Sequence, residues 1–442
     1  MAAYTGSSYV LSPIMFWVVT ALLLRTIYAD DDDRHSILRV VPRSADHMDA
    51  LRYMDATLGF DIDFLREVRG VDRPGDIVLM ANHLNKSKEY LDKHKVPNWI
   101  IEDNLHVRRD RRAVLESLDP AMEMTRDIIT SGYLPFDTQL RVLRQLAGTY
   151  PGLVRLERIG SSTEGRPIVT ATVGYRANRT KPIFWIDAGI HAREWISHSA
   201  GLYTLWELAT NPVHTNLLRK VDVVLVNNAN PDGYEYSRLK DRLWRKTRSR
   251  HAGSGCAGVD GNRNYPFHWG EEGVSFGTCS EIYCGPAAMS EPEVKALVDR
   301  ITQLKGRVVG YVALHSFGQD ILYPWGHAIN QFPDDVEDLK AVGSEMADAI
   351  KKVAGTEYNV ANSAGGLYPA SGASDDWAKS MGVKFSYTME LSPKDNYFGF
   401  QLPEKFINQV CEEVFAGLEV LAQHVSRQPV LHRRQNRLNM RG

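Results

Sequence analysis

The sequence predicts an α/β protein, a sheet covered by helices on both faces, with a smaller α+β unit ahead of it. Three observations predict this. From about residue 127 to 425, apolar runs of strand length alternate with longer segments of helical period. Between residues 36 and 107 the same alternation recurs on a smaller scale. At 442 residues the chain is also too long for one ordinary domain.

The elements follow in order. Residues 16–24 form an apolar run too short to span a bilayer. Ile27-Tyr28-Ala29 and four aspartates follow it, which suits a secretory signal over residues 1–29. In the first unit, residues 36–41 and 76–80 are strand-like, and Trp99-Ile100-Ile101 opens a last strand. Met48, Leu51, Met54 and Leu58 recur at helical spacing, and residues 86–94 are helix-prone. Next comes Arg108-Arg109-Asp110-Arg111-Arg112, a stretch of helical character over 113–122, and Arg126. Basic residues at a domain junction in a secreted chain are targets for a trypsin-like protease. The larger unit offers strands at 183–188, 221–226, 308–314 and 385–391, and helices at 195–210, 291–304, 336–354 and 403–425. Strand–helix alternation of this kind covers a sheet on both faces, and ligands then bind outside the strand ends. A basic tail over 426–442 carries Arg433, Arg434, Arg437 and Arg441.

Composition excludes some classes. A formal charge of −2 leaves no electrostatic footprint for nucleic acid. No later run reaches 18 uninterrupted apolar residues, so no stable membrane association is expected once the signal is removed. Secretion gives weight to the cysteines. Cys256 and Cys279 flank a glycine-rich loop and are the expected disulfide; Cys284 and Cys411 pair with each other or stay free. Asn85-Lys86-Ser87 and Asn178-Arg179-Thr180 are glycan sequons.

The chemistry-bearing residues fall where strands run out. Gly189-Ile190-His191-Ala192-Arg193-Glu194-Trp195-Ile196 follows the strand at 183–188 and precedes a helix. His191 and Glu194 share one side of a tight turn, and imidazole and carboxylate are both Zn²⁺ ligands. His315 closes another buried strand. Two His, one Glu and an open position is the pattern of a catalytic zinc site.

Further motifs accompany these: Asn230-Pro231-Asp232-Gly233-Tyr234, then Arg242-Leu243-Trp244-Arg245-Lys246-Thr247-Arg248, then Gly258-Val259-Asp260-Gly261-Asn262-Arg263-Asn264, His315-Ser316-Phe317 and Thr388-Met389-Glu390-Leu391. In this order they resemble the zinc carboxypeptidases of the pancreatic A/B type, over nearly the whole chain after the signal. The resemblance implies the carboxypeptidase fold, a mixed and mostly parallel eight-stranded sheet. It implies a ferredoxin-like activation pro-domain over 30–107 that caps the cleft. A connecting helix and cleavage segment follow over 108–126, with the cut after Arg126 or in the cluster before it, then a catalytic domain over 127–425. It implies one Zn²⁺ held by His191, Glu194 and His315, with Asp260 orienting a ligand histidine. Glu390 resembles the general base and Arg245 the group that stabilises the oxyanion. Asn262 and Arg263, with Tyr368 closing over them, resemble the clamp for a C-terminal carboxylate. Arg193 lines the same cleft, and Ser316 is grouped with the substrate-binding residues.

In the segment from Tyr368 to Trp377, Asp375 stands where B-type enzymes carry an aspartate. A buried carboxylate there favours a C-terminal Lys or Arg and penalises apolar side chains. The small residues Gly326, Ser363 and Ala370 leave room for a long side chain. The implied function is a secreted zymogen acting on peptide or protein C-termini. A-type specificity and a catalytically silent C-terminus binder are the alternatives. Departures are Phe317 in place of a tyrosine and Ser392-Pro393 in place of an Arg-Asp pair. Arg242 and Arg248 read as solvated surface arginines.

Overall fold

The computed structural model describes residues 34–57, 63–66, 68, 70–106, 122–394 and 398–430. The expected signal, the Arg108–Arg112 cluster, residues 113–121 of the expected connecting helix and the arginines of the tail lie outside the described residues. The chain divides into two compact units that part between Val107 and Arg108.

The first unit runs β1 (Arg34–Val40), α1 (Ala45–Thr57), β2 (Asp63–Arg66), β3 (Gly75–Met80), α2 (Ala81–Lys93) and β4 (Asn98–His106). Its sheet has the order β2-β3-β1-β4, antiparallel throughout. This is the βαββαβ arrangement of a ferredoxin-like unit. Leu38, Val40, Leu51, Met54, Ile77, Leu79 and Leu91 form its core. Asp76 is fully buried and accepts two hydrogen bonds from Arg39, 2.6 and 2.9 Å, a fork that compensates its charge.

The second unit opens with α3 (Arg126–Ser131) and α4 (Phe136–Thr149), then β5 (Val154–Ser161), β6 (Pro167–Val173) and β7 (Ile183–Ala188). It continues with α5 (Trp195–Thr210), β8 (Asp222–Val226), α6 (Pro231–Leu239), α7 (Pro292–Gln303), β9 (Val308–Ser316) and β10 (Asp320–Tyr323). Last come α8 (Val336–Ala354), β11 (Asn359–Asn362), α9 (Ser374–Ser380), β12 (Phe385–Leu391) and α10 (Ile407–Ser426). The eight strands take the order β11-β10-β12-β9-β7-β8-β6-β5. Four of the seven pairings are parallel and three antiparallel, so the sheet is mixed, as expected.

Every residue of β7, β8 and β9 is buried. Parallel strands covered on both faces read as continuous apolar runs, which is why these were visible in the sequence. One face packs on α4, α5, α8 and α10, and the other on α7 and α9. After β7 the chain places β8 on one side of that strand and β9 on the other. The crevice between β7 and β9 is therefore a topological switch point, where open α/β sheets bind ligands. Cys256 and Cys279 form a disulfide with Cα atoms 5.1 Å apart, whereas Cys284 and Cys411 are both free and buried.

Candidate metal centre

His191, Glu194 and His315 meet at the switch point. Ala188 ends β7, and Gly189 then turns the chain with φ +73. A Cβ at Gly189 would lie 1.8 Å from the His198 ring, so glycine alone fits this corner. The turn delivers His191, then Glu194 as N-cap of α5, whose side chain caps no backbone N–H and is left for other work. His315 comes from the end of the adjacent strand β9.

The side chains converge closely. His191 Nδ1 lies 2.7 Å from Glu194 Oε1, His315 Nδ1 lies 3.0 Å from Glu194 Oε2, and the two Nδ1 atoms are 3.1 Å apart. All three residues are buried. A tetrahedral Zn²⁺ with bonds of about 2.0–2.1 Å holds its donor atoms about 3.3 Å apart, so the trio fits one ion. Burial favours the acid form of Glu194, yet His191 and His315 outweigh it and hold the carboxyl well below its ordinary range. Burial works against charge on His315, but Glu194 pushes it up to about 9.

Asp260 stands behind the trio. Its Oδ1 lies 2.9 Å from His191 Nε2, which leaves Nδ1 to face the ion. Its Oδ2 accepts two hydrogen bonds from Arg245, at 2.9 and 3.1 Å. Burial opposes charge on Asp260, but Arg245 and His191 hold it well below the usual range. Glu390 on β12 pairs in register with His315 on one side and Asp320 on the other. Its residue is half-buried, yet desolvation pushes the carboxyl up to about 8, with His315 opposing and Glu194 and Asp320 reinforcing.

Known proteins agree with this geometry. Residues 140–417 match the zinc carboxypeptidase family, and residues 38–110 match the carboxypeptidase activation peptide. The chain belongs to the zinc carboxypeptidases. It is 34% identical over 393 residues to carboxypeptidase A4 of Mus musculus, covering 88% of this chain and 93% of that protein. It is 42% identical over 299 residues to carboxypeptidase B of Astacus astacus, covering 67% of this chain and 97% of that protein. The crystal structure of carboxypeptidase A from Helicoverpa armigera superposes with a TM-score of 0.80 at 28% identity, covering 89% of this chain and 98% of that one. With an activation peptide ahead of the peptidase domain, the chain is a zinc carboxypeptidase zymogen, and its His-Glu-His trio fits the single zinc of that family.

The other predicted residues of the carboxypeptidase make the following contacts. Arg263 donates to Tyr368 Oη at 3.3 Å, and its Nε donates to the Gly273 carbonyl at 2.8 Å. Asn262 Oδ1 accepts from the Ser374 N–H at 3.0 Å, one residue before Asp375. Asp375 is 3% exposed, and its carboxyl accepts from Ser363 Oγ at 3.2 Å and from the Asp376 backbone N–H. Burial, then neighbouring Asp376, pushes Asp375 up to about 7. The Arg193 guanidinium lies over the Phe400 ring at 4.2 Å. Ser316 is buried beside His315 at the end of β9.

Two arginines differ from expectation. Arg242 is buried: it donates to the carbonyls of Arg193 and Phe400 and stacks 3.6 Å from the Trp195 ring centroid. Arg248 is half-buried between Tyr236 and Trp244, at 3.6 and 4.3 Å. Flanking aromatics supply the cover that makes a surface assignment wrong. Asp376 was missed. It accepts from the N–H groups of Gly326 and His327 and pairs with His327 Nδ1, at 2.8, 2.8 and 2.9 Å, so it pins the loop opposite Ser363. The signal was present: two adjacent aspartates in a buried segment cannot both stay unpaired.

Proposed function

We propose that the activated enzyme releases C-terminal Lys or Arg from peptides and proteins. One observation carries this reading. Of two adjacent buried carboxylates, Asp376 has three donors including the His327 ring, whereas Asp375 has the Ser363 hydroxyl and the Asp376 backbone N–H and no salt bridge among the described residues. A guanidinium or ammonium entering the pocket supplies the missing partner, and an apolar side chain leaves it missing.

His191, Glu194 and His315 hold the zinc, which when bound supplies a Lewis acid that polarises the scissile carbonyl and acidifies the attacking water. Asn262 and Arg263 fork onto the substrate's terminal carboxylate, and Tyr368 closes over it. Glu390 takes a proton from the attacking water and returns it to the leaving amine. Arg245, fixed by Asp260, meets the charge that develops on the carbonyl oxygen. Arg193 lines the cleft on the side of Phe400.

The Cys256–Cys279 disulfide supports secretion, since such bonds persist in oxidising compartments. No helix among the described residues is long and apolar enough to cross a membrane. Release of apolar C-terminal residues is the second reading, favoured by burial and Asp376 pushing Asp375 up to about 7. Comparing hippuryl-Arg with hippuryl-Phe after trypsin activation separates the two. Chelator-sensitive release of arginine at the higher kcat/KM is expected; faster release of phenylalanine would overturn the preference.

A further inference from the structure

The formal charge of −2 hides an uneven division. Lys and Arg number 52 and Asp and Glu 54, so an average stretch of surface carries the two signs about equally. Residues 174–182, 217–222 and 304–307 do not: together they hold seven basic residues and one carboxylate, Asp222. These stretches lead into β7, β8 and β9, which are parallel and lie side by side, so they form one surface at the N-terminal end of the sheet. Backbone hydrogen bonds join them. Ile183 N–H donates to the Arg307 carbonyl at 2.7 Å, Asp222 N–H to the Pro182 carbonyl at 3.0 Å and Tyr175 N–H to the Leu218 carbonyl at 3.1 Å.

The inner charges are built into the fold. Lys181 is buried, with Nζ 2.7 Å from Asp222 Oδ1 and donating to the Leu218 and Val221 carbonyls at 2.9 and 3.2 Å. Arg307 donates to Asp222 Oδ2 at 3.1 Å, and Arg155 of β5 stands 3.5 Å from Oδ1. One carboxylate thus serves three cations and leaves none for the rest. Around this centre Arg176, Arg179, Arg219, Lys220 and Lys305 are exposed, and none of the five pairs with a carboxylate among the described residues.

Like charges held this close repel each other, and a polyanion laid across them relieves the repulsion and releases its own counter-ions. Guanidinium groups also fork onto tetrahedral oxyanions. No large apolar side chain is exposed in these stretches, so they offer nothing to insert into a lipid surface. In the oxidising surroundings that the Cys256–Cys279 disulfide supports, the extended polyanion on offer is a sulfated polysaccharide.

We infer that the face at the N-terminal ends of β7, β8 and β9 binds a sulfated polysaccharide of the heparin type and tethers the enzyme by it. The metal trio lies at the other end of the same strands. Arg307 and His315 are eight residues apart along extended β9, about 25 Å, so the tethered enzyme keeps its cleft open. The inference holds whichever C-terminal residue the enzyme prefers.

The test is binding of heparin over a range of NaCl concentrations by the full chain, treated first with an N-glycosidase because the sequon residue Asn178 lies on the same surface. Two variants accompany the parent: Arg176→Gln with Arg179→Gln, and Arg219→Gln with Lys220→Gln. After trypsin activation both should turn over the parent's preferred hippuryl substrate within about twofold of the parent, which also reports that they fold. The parent should bind at about 0.15 M salt. Each double variant should bind about 5–30-fold more weakly, with a shallower fall of log affinity against log salt. Saturating heparin should leave the parent's hippuryl turnover unchanged. Undiminished binding by either variant would overturn the inference, placing the contact on other basic residues such as those of the tail. Competitive inhibition by heparin would overturn it too, placing the contact in the cleft. Equal affinity for phosphatidylserine vesicles or duplex DNA at the same salt would overturn the assignment to a polysaccharide.

Discussion

Asp375→Asn tests the pocket in two independent ways, and the structure sets the size of both effects. The Asp375 carboxyl is pushed up from an ordinary 3.8 to about 7 by burial and by Asp376. Between those values the folded protein holds a proton that the unfolded chain has released. Stability therefore falls as pH rises through that window and levels off above it. At about 1.4 kcal/mol per pH unit, the ionised carboxyl costs about 4 kcal/mol once pH exceeds 7, and about 3 kcal/mol of that develops between pH 5 and pH 7. Asparagine does not titrate. Melting of the activated, zinc-saturated variant, compared with the parent, should show a relative gain on the order of 5–10 °C on moving from pH 5 to pH 8. Over the same move the parent should bind arginine-terminated substrates better, because the charge that attracts them is restored. The variant should lose hippuryl-Arg turnover by about a hundredfold or more in kcat/KM and gain on hippuryl-Phe. A melting difference that stays constant from pH 5 to pH 8 would show that Asp375 is not held as an acid. An unchanged Arg-to-Phe ratio would show that it does not face the substrate.

Two further outcomes follow from the groups around the metal trio. Asp260→Asn should weaken zinc binding by about 10–100-fold, measured by equilibrium dialysis, because His191 loses the carboxylate that orients its ring; unchanged affinity would remove Asp260 from that role. Arg245→Gln should lower kcat by about 10²–10³ with a smaller change in KM. A change confined to KM would make Arg245 a binding residue only.

How much of this was legible depends on burial. β7 and β9 were readable as mainly apolar runs and β12 as an alternation of apolar with polar residues, and three of the four long helices nearby fell within a residue of their expected bounds. The edges were not. β5 alternates irregularly between buried and exposed positions, and β10 and β11 span only four residues each, too short for any period to show. α4 and α6 were missed too, although α4 buries Leu140, Leu143 and Leu146 at helical spacing.

At the site, His191 and Glu194 were visible as neighbours in sequence. That His315 joins them depends on β9 lying beside β7, which no local pattern states. The family motifs supplied that step, along with the clamp and the pocket. Arg242 and Arg248 failed for the opposite reason: their charge suggested water, while Trp195 covers Arg242 from a distant helix and Tyr236 and the nearby Trp244 cover Arg248.

The strand of contacts between Asn262 and Ser374, between Tyr265 and Gly372 (3.0 Å, backbone to backbone) and between Arg263 and Tyr368 welds two distant stretches of chain into a single rigid gauge. On the proposed assignment one stretch grips the end of a peptide and the other receives its last side chain. A gauge of fixed span measures a single amino acid, so trimming proceeds stepwise from the terminus, and an internal loop of a folded protein finds nothing there to hold.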